Sequence, residues 1–235
     1  MKIVAIIPAR GGSKGIVHKN VLPYKGTNLL NVAVQQAKEA TMIGRVFVST
    51  DNHDYANIAM DAGAEVIRRP PELAEDMVPD LPVMQHALDW VEMEYGYLAD
   101  IVVHLRVTYP TRTIENIHTA INLLIQNELA TSVRSVALAK ECPYKMWTKE
   151  TGKYLNPLIK SDARYSDIKE LQSACRQNFP KVYYQNACVE VIRGSVIRGG
   201  SICGKYILPY FMRKNEDIDT YEDYRNLLIG ESNAC

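Results

Sequence analysis

The sequence predicts an α/β fold built on one doubly wound, mostly parallel sheet, a Rossmann-like arrangement with helices on both faces. Three observations carry that expectation. Short apolar, β-branched runs alternate with segments of helical periodicity; the first run ends in a Gly-rich loop; and 235 residues suit one α/β domain with a modest insertion.

Lys2 to Pro8 is a short apolar run, read as the first strand, and it feeds the loop Ala9 to Gly15. Leu29 to Ala40 places Leu30, Val32, Ala33 and Ala37 at helical spacing. Arg45 to Ser49 is the second strand, stopped by Thr50-Asp51-Asn52, and Tyr55 to Ala62 is a helix closed by Gly63. Glu65 to Ile67 makes a third strand ahead of Pro70-Pro71. Leu81 to Tyr95 forms a helix with Val83, Ala87, Leu88 and Val91 on one face. Ile101 to Leu105 is an apolar strand before Pro110, Thr113 to Asn127 a helix with Ile114, Ile117, Ile121 and Leu124 inward, and Ser132 to Ala137 a strand.

From Cys142 to Pro180 the rhythm breaks into a polar stretch with Pro143, Gly152 and Pro157. A structureless loop of that length does not suit a compact domain. Residues 142–180 are therefore expected to form a small inserted subdomain, a substrate lid or a subunit contact, within a single domain spanning 1–235. Val182 to Ile192 returns as strand, and Thr220 to Leu228 closes as a helix.

Composition excludes several function classes. Lys plus Arg and Asp plus Glu are 27 each, so no net field exists to hold nucleic acid or an anionic membrane. No run approaches the roughly 18–20 apolar residues of a membrane span, and the N-terminal run lacks the length and cleavage pattern of a secretory signal. The five cysteines form no CxxC pair, which suits reduced thiols and a cytoplasmic location. An anionic ligand must be held by local cations.

Such a cluster exists in Pro8-Ala9-Arg10-Gly11-Gly12-Ser13-Lys14-Gly15. Glycines let backbone N–H groups approach phosphate oxygens, while Arg10, Lys14 and Lys19 supply charge to a triphosphate. Neither GxxxxGK[ST] nor GxGxxG is present. Near the C-terminus, Asp217-Ile218-Asp219 puts two carboxylates on one side of an extended segment, the ligand type that Mg²⁺ prefers. The plain alternative is a solvated pair capping the last helix.

Ile7 to Ile16, followed by Lys19-Asn20, resembles the signature of the acylneuraminate cytidylyltransferases, the CMP-sialic acid synthetases and relatives acting on legionaminic or pseudaminic acid. The resemblance extends through Val48-Ser49-Thr50-Asp51, Arg69 to Asp76, Leu105 to Arg112, Pro143-Tyr144-Lys145, Arg176 to Pro180 and Asp217-Ile218-Asp219. It implies transfer of CMP from CTP to the anomeric hydroxyl of a nonulosonic sugar acid, with release of pyrophosphate. It implies nucleotide contacts at Arg10, Gly11, Gly12, Ser13, Lys14, Lys19, Asn20 and Arg69, with Arg10 and Lys19 among the catalytic groups. Acceptor contacts are implied at Arg106, Thr108, Lys145, Arg176 and Asn186. Asp217 and Asp219 would hold Mg²⁺ and count as catalytic, and a homodimer is implied with 142–180 as its contact region. The pattern departs at Arg106, Val107 and Tyr109, at Tyr184, and at Ala187 where a Gly is usual. Those changes lie on the acceptor side and keep three alternatives open: another 3-deoxy sugar acid, a sugar 1-phosphate, or a catalytically silent nucleotide-binding module.

Overall fold

Seven strands form the central sheet that the strand–helix rhythm predicts. A computed structural model describes residues 1–13, 15–213 and 217–232. In chain order the elements are β1 (Ile3–Pro8), the short pair β2 (Pro23–Tyr24) and β3 (Thr27–Asn28), α1 (Leu29–Glu39), β4 (Arg45–Thr50), α2 (His53–Asp61) and β5 (Glu65–Arg68). There follow α3 (Asp80–Tyr95), β6 (Ile101–His104), α4 (Ile114–Ile125), β7 (Ser132–Leu138) and the short pair β8 (Trp147–Thr148) and β9 (Asn156–Pro157). The chain closes with β10 (Tyr183–Arg193), α5 (Gly194–Arg198), β11 (Ile207–Met212) and α6 (Tyr221–Ser232).

The strand order is β11-β7-β10-β6-β1-β4-β5. Every neighbour pair is parallel except those of β10, which runs antiparallel to both β6 and β7. From β1 the chain winds outward to β4 and β5, then crosses back to β6 on the other flank. The reversal leaves a crevice at the C-terminal ends of β1 and β6, where open α/β sheets bind ligands.

Period-two alternation along β1 sorts its side chains into two cores. Ile3, Ala5 and Ile7 pack with Leu30, Val34 and Ile121 of α1 and α4, while Val4 and Ile6 pack with Phe47, Met84 and Leu88 on the α3 face. Helix starts follow short polar side chains: Asn28 accepts from the Asn31 amide, Asn52 from the Asp54 and Tyr55 amides, and Thr113 forms a reciprocal capping box with Asn116. Because Asn52 caps, α2 begins at His53, two residues ahead of the predicted start.

Strand β11 was not expected from the sequence. Pro209 in its middle argues against a central strand, and the structure resolves the conflict by placing β11 at the sheet edge, paired only with β7. The 142–180 stretch gathers around a small core of its own, Cys142, Tyr144, Leu171 and Phe179, with the Tyr144 and Phe179 rings stacked at 4.4 Å. β10 carries an irregularity between Gln185 and Glu190, and Ala187 within it adopts a left-handed φ of 57°. That conformation accounts for glycine at this place in the resembling pattern. No helix among the described residues is long and apolar enough to cross a membrane.

Gly194, where β10 turns into α5, donates its amide to the Asp100 carbonyl at 2.8 Å. A Cβ there would sit 2.0 Å from the Ala99 carbonyl oxygen, a backbone atom without room to retreat. Gly194→Ala should therefore destabilise the fold by about 1–3 kcal/mol, read as a lower urea midpoint at unchanged slope.

Candidate active site

The crevice at the ends of β1 and β6 opens into a cleft of about 760 Å³. Its first wall is the Gly-rich loop after β1. The Gly11 amide donates to the Asp51 carboxylate at 2.9 Å, and the Asn20 side chain donates to the Arg10 carbonyl at 3.0 Å, so both ends of the loop are tied down. Gly11 faces Asn52, whose side chain would lie 3.0 Å from an added Cβ.

The C-terminal segment 217–219 lies against this loop. A Cβ on Gly15 would approach the Asp219 carbonyl oxygen to 3.2 Å, so glycine at 15 admits the segment. The Lys19 ammonium donates to the Ile218 carbonyl at 2.9 Å and pairs with Asp219 at 3.5 Å. From the other side, the Ile218 amide donates to the Thr108 carbonyl at 2.9 Å. Ile218 is buried in the core, which turns Asp217 and Asp219 together toward the cleft they both line. The two stretches, far apart in sequence, thus line one cleft through Arg10, Lys19, Asp217 and Asp219.

Other cations reach the cleft by different routes. Arg10 pairs with Asp76 at 2.9 Å, both about a third exposed. Arg69 is buried and donates to the Ser49 hydroxyl at 3.1 Å and the Ser49 carbonyl at 2.8 Å. Burial pushes its guanidinium down to about 10, Asp51 opposing and Arg10 adding to the shift. The 105–112 loop after β6 is pinned by buried Arg112, which donates to the Arg106 carbonyl at 2.7 Å, to Gln36 at 3.0 Å and to the Cys188 carbonyl.

Beneath that loop lies a polar rung that the sequence reading did not assemble. Glu190 of β10 stands opposite His104 of β6 and Arg134 of β7 in adjacent registers. His104 Nδ1 lies 3.0 Å from Glu190, Arg134 donates to the same carboxylate, and Arg106 lies 3.5 Å from it while pairing with Asp80 at 2.6 Å. Burial pushes the His104 imidazole down to about 3, with Arg106 and Arg134 adding to the shift, so it is neutral. Arg134 and Glu190 each sit between apolar neighbours, Val133 and Val136 in β7 and Val189 and Val191 in β10, a signal that two buried charges must find partners.

Ser13, Lys19, Asn20, Arg69, Arg106 and Thr108 line the cleft together with Arg10, Asp217 and Asp219. Gly11 and Gly12 shape the loop without lining the cleft. Lys14 lies outside the described residues. Three acceptor-side residues are placed elsewhere. Exposed Lys145 reaches the Gln172 carbonyl at 3.4 Å, and exposed Arg176 donates to the Lys140 carbonyl at 2.6 Å, both within the 139–182 region. Asn186 is buried and its amide donates to Met212 Sδ; its neighbours Gln185 and Ala187 line the cleft instead. A left-handed Ala187 turns the strand so that alternation fails locally, which sequence spacing does not reveal.

Among the described lining residues, Arg10, Lys19, Arg69 and Arg106 face Glu75, Asp76, Asp80, Asp217 and Asp219. Among these described residues the cations do not outnumber the carboxylates. Burial, and then the nearby Asp219 carboxylate, push the Asp217 carboxyl above its usual range, with a Thr108 hydrogen bond opposing. Two carboxylates that resist joint ionisation on one side of an extended segment fit a hard divalent cation completed by phosphate oxygens. No cluster of three His, Cys, Asp or Glu residues with metal-site geometry occurs among the described residues.

A family model described as cytidylyltransferase matches residues 4–144. The chain is 28% identical over 238 residues to the post-translational flagellin modification protein B of Campylobacter coli, covering 99% of this chain and 97% of that one. It is 30% identical to the N-acylneuraminate cytidylyltransferase of Escherichia coli O18:K1:H7 across 93% of its own length, and spans about half (49%) of that protein. Among solved structures, a CMP:2-keto-3-deoxy-manno-octonic acid synthetase complexed with CTP superposes with a TM-score of 0.67 over 98% of this chain and 100% of that one, at 15% identity, a likeness of fold.

The raised Asp217 carboxyl has a consequence for stability. A folded-state value above the unfolded one favours folding while the group is protonated, and that contribution disappears as pH rises through the folded value. Asp217→Asn should therefore raise the melting temperature of the metal-free protein at pH 7. The difference from the parent should shrink as pH falls through the folded value and vanish below about pH 4, where the unfolded carboxylate is also protonated. Calorimetry across pH checks it; a lower melting temperature at pH 7 would overturn the reading.

Proposed function

This chain belongs to the cytidylyltransferase family, and from that premise we propose that it transfers CMP from CTP to the anomeric hydroxyl of a sialic-acid-like nonulosonic acid, releasing pyrophosphate. The observation that carries the reading is the meeting of the Gly-rich loop with Asp217 and Asp219 on one cleft. Family membership supplies the nucleotidyl chemistry; the relatives' printed activities support the acceptor class.

In this reading the hydroxyl oxygen attacks the α-phosphorus, the new O–P bond forms, and the bond to the β-phosphate breaks with its electron pair leaving on pyrophosphate. Alignment and charge neutralisation dominate such a transfer. Arg10, Ser13 and Lys19 hold the triphosphate, with Lys14 of the same loop assigned to it from the sequence. Asn20 and Arg69 fix the nucleotide beside β1 and β5. Arg106 and Thr108 face the acceptor. Asp217 and Asp219 would hold Mg²⁺, which when bound offsets phosphate charge and polarises the α-phosphate. Lys19, tied to Ile218 and Asp219, keeps the cationic and anionic walls at a fixed separation.

The proposal includes a homodimer. Exposed Trp147, Leu155 and Leu158 of the 142–180 region, with Phe211 on edge strand β11 and Leu138 and Tyr183 at the adjoining ends of β7 and β10, offer apolar surface of the kind a second copy covers. The Tyr183 and Phe211 rings are 4.9 Å apart. Lys145 and Arg176, which lie outside the cleft of their own chain, keep an acceptor role only if a second copy supplies them.

Arg10→Ala should lower kcat/KM for CTP by about 30- to 1,000-fold, the effect of losing about 2–4 kcal/mol of transition-state stabilisation. Pyrophosphate release measures it, and near-normal turnover would remove the loop from the chemistry. Chelation of divalent ions should abolish turnover and Mg²⁺ should restore it. For the assembly, Phe211→Asp should convert a dimeric light-scattering mass to a monomeric one; a monomeric parent protein would sink the dimer.

A further inference from the structure

The Arg106–Asp80 pair is an ion pair built into the cleft wall at a place where a lone cation would be the simpler anion receptor. Among the described residues Arg106 makes hydrogen bonds only through Nη2, to Asp80 at 2.6 Å and Glu190 at 3.5 Å. Asp80 accepts only through Oδ2, and both side chains are about a third exposed. Nη1 remains as donor and Oδ1 as acceptor on adjoining groups that line the cleft.

The charges around the pair cancel. Arg106 and Arg134 are balanced by Asp80 and Glu190, and His104 is neutral. A carboxylate or phosphate entering here finds the Arg106 charge already paired and meets the Asp80 carboxylate. A neutral group that both donates and accepts meets complementary partners on each side.

Topology says which substrate the pair faces. Arg10, Asn20 and Arg69 follow β1 and β5, on the β1–β4–β5 half of the sheet. Arg106, Gln185 and Ala187 belong to β6 and β10, on the other half, and segment 217–219 rests between them on the Thr108 carbonyl. With the nucleotide on the first half, the acceptor occupies the second.

We propose that Arg106 and Asp80 together form a specificity subsite for a neutral donor–acceptor substituent of the acceptor sugar, an acylamino or hydroxyl group, rather than for its carboxylate. Glu190 is the positioning residue. Fixed by Arg134 and by Gln185, which donates to it at 2.5 Å, it anchors the guanidinium from beneath. The inference rests on the reading of the protein as a CMP transferase to sugar acids.

The test is a double-mutant cycle on the full chain, with steady-state kinetics in CTP and a nonulosonic acid. Asp80→Asn and Arg106→Gln should each raise the acceptor KM about tenfold, leaving the CTP KM within about twofold as a check on folding. The double variant, which replaces an ion pair by two neutral amides, should return to within about threefold of the parent. Acceptors lacking one acylamino or hydroxyl group at a time identify the group read, because the KM of the matching analogue no longer responds to Arg106→Gln. A fall in acceptor KM in Asp80→Asn would make Arg106 an anion receptor and overturn the proposal. So would unchanged KM values in both single variants, or a response to Arg106→Gln in every analogue. If the parent protein makes no CMP conjugate from any acid, the transferase reading fails first and this subsite falls with it.

Discussion

The contact between the loop after β1 and segment 217–219 is the constraint on which the site depends. It joins stretches about 200 residues apart through Lys19 and the Ile218 carbonyl, and Gly15 eases the close approach of the Asp219 backbone, whose carbonyl would lie 3.2 Å from a Cβ there. Ile218, sunk into the core, supplies the apolar burial that holds the segment in place, and the Thr108 carbonyl fixes it on the opposite side. Burial of one isoleucine is worth about 1.5–3 kcal/mol. That is enough to position two flanking carboxylates whose mutual repulsion works against the same arrangement.

Beneath the cleft the sheet accepts a second cost. Glu190, Arg134 and His104 form a buried rung across three strands, although packed hydrophobic residues would serve stability as well or better. The rung lies under the C-terminal end of β6, where the chain leaves the sheet for the 105–112 loop. Its reach through Arg106 to Asp80 ties the sheet to the N-terminus of α3. The polar floor thus links strands β6, β10 and β7 to the 105–112 loop and to α3.

The alternation of strands and helices was legible because each element carries its own period and its own stop signal. The Gly-rich loop and the Asp217-Ile218-Asp219 segment were legible because charge and glycine were concentrated in a few consecutive residues. The rung was not, because Arg134 and Glu190 lie 56 residues apart and meet only through register. Asp76 was legible only as part of the resembling Arg69 to Asp76 segment and Asp80 drew no reading, because only the fold places both on the cleft. Asn186 was assigned to the site by resemblance and Gln185 and Ala187 were not, whereas the irregular stretch of β10 around left-handed Ala187 buries Asn186 and puts its two neighbours on the cleft. Pro209 concealed β11 for a related reason, since a proline forbidden in a central strand is tolerated on an edge.

The cations of the cleft divide into two kinds, and the division suits a reaction that must both grip and release a polyanion. Arg69 is buried, with its donors committed to Ser49, so its place beside the nucleotide half is set by folding. Arg10 is paired with Asp76 in a partly exposed contact. Such pairs contribute about 0–1 kcal/mol, so a phosphate can exchange with Asp76 at small cost. Before the exchange Asp76 keeps the guanidinium near its working position, and after pyrophosphate departs the same carboxylate can reclaim it. A cleft lined by unopposed cations would bind the triphosphate and the leaving pyrophosphate alike. Among the described residues this cleft matches its cations with carboxylates, and in the proposed reaction tight binding would then depend on a divalent ion held by Asp217 and Asp219.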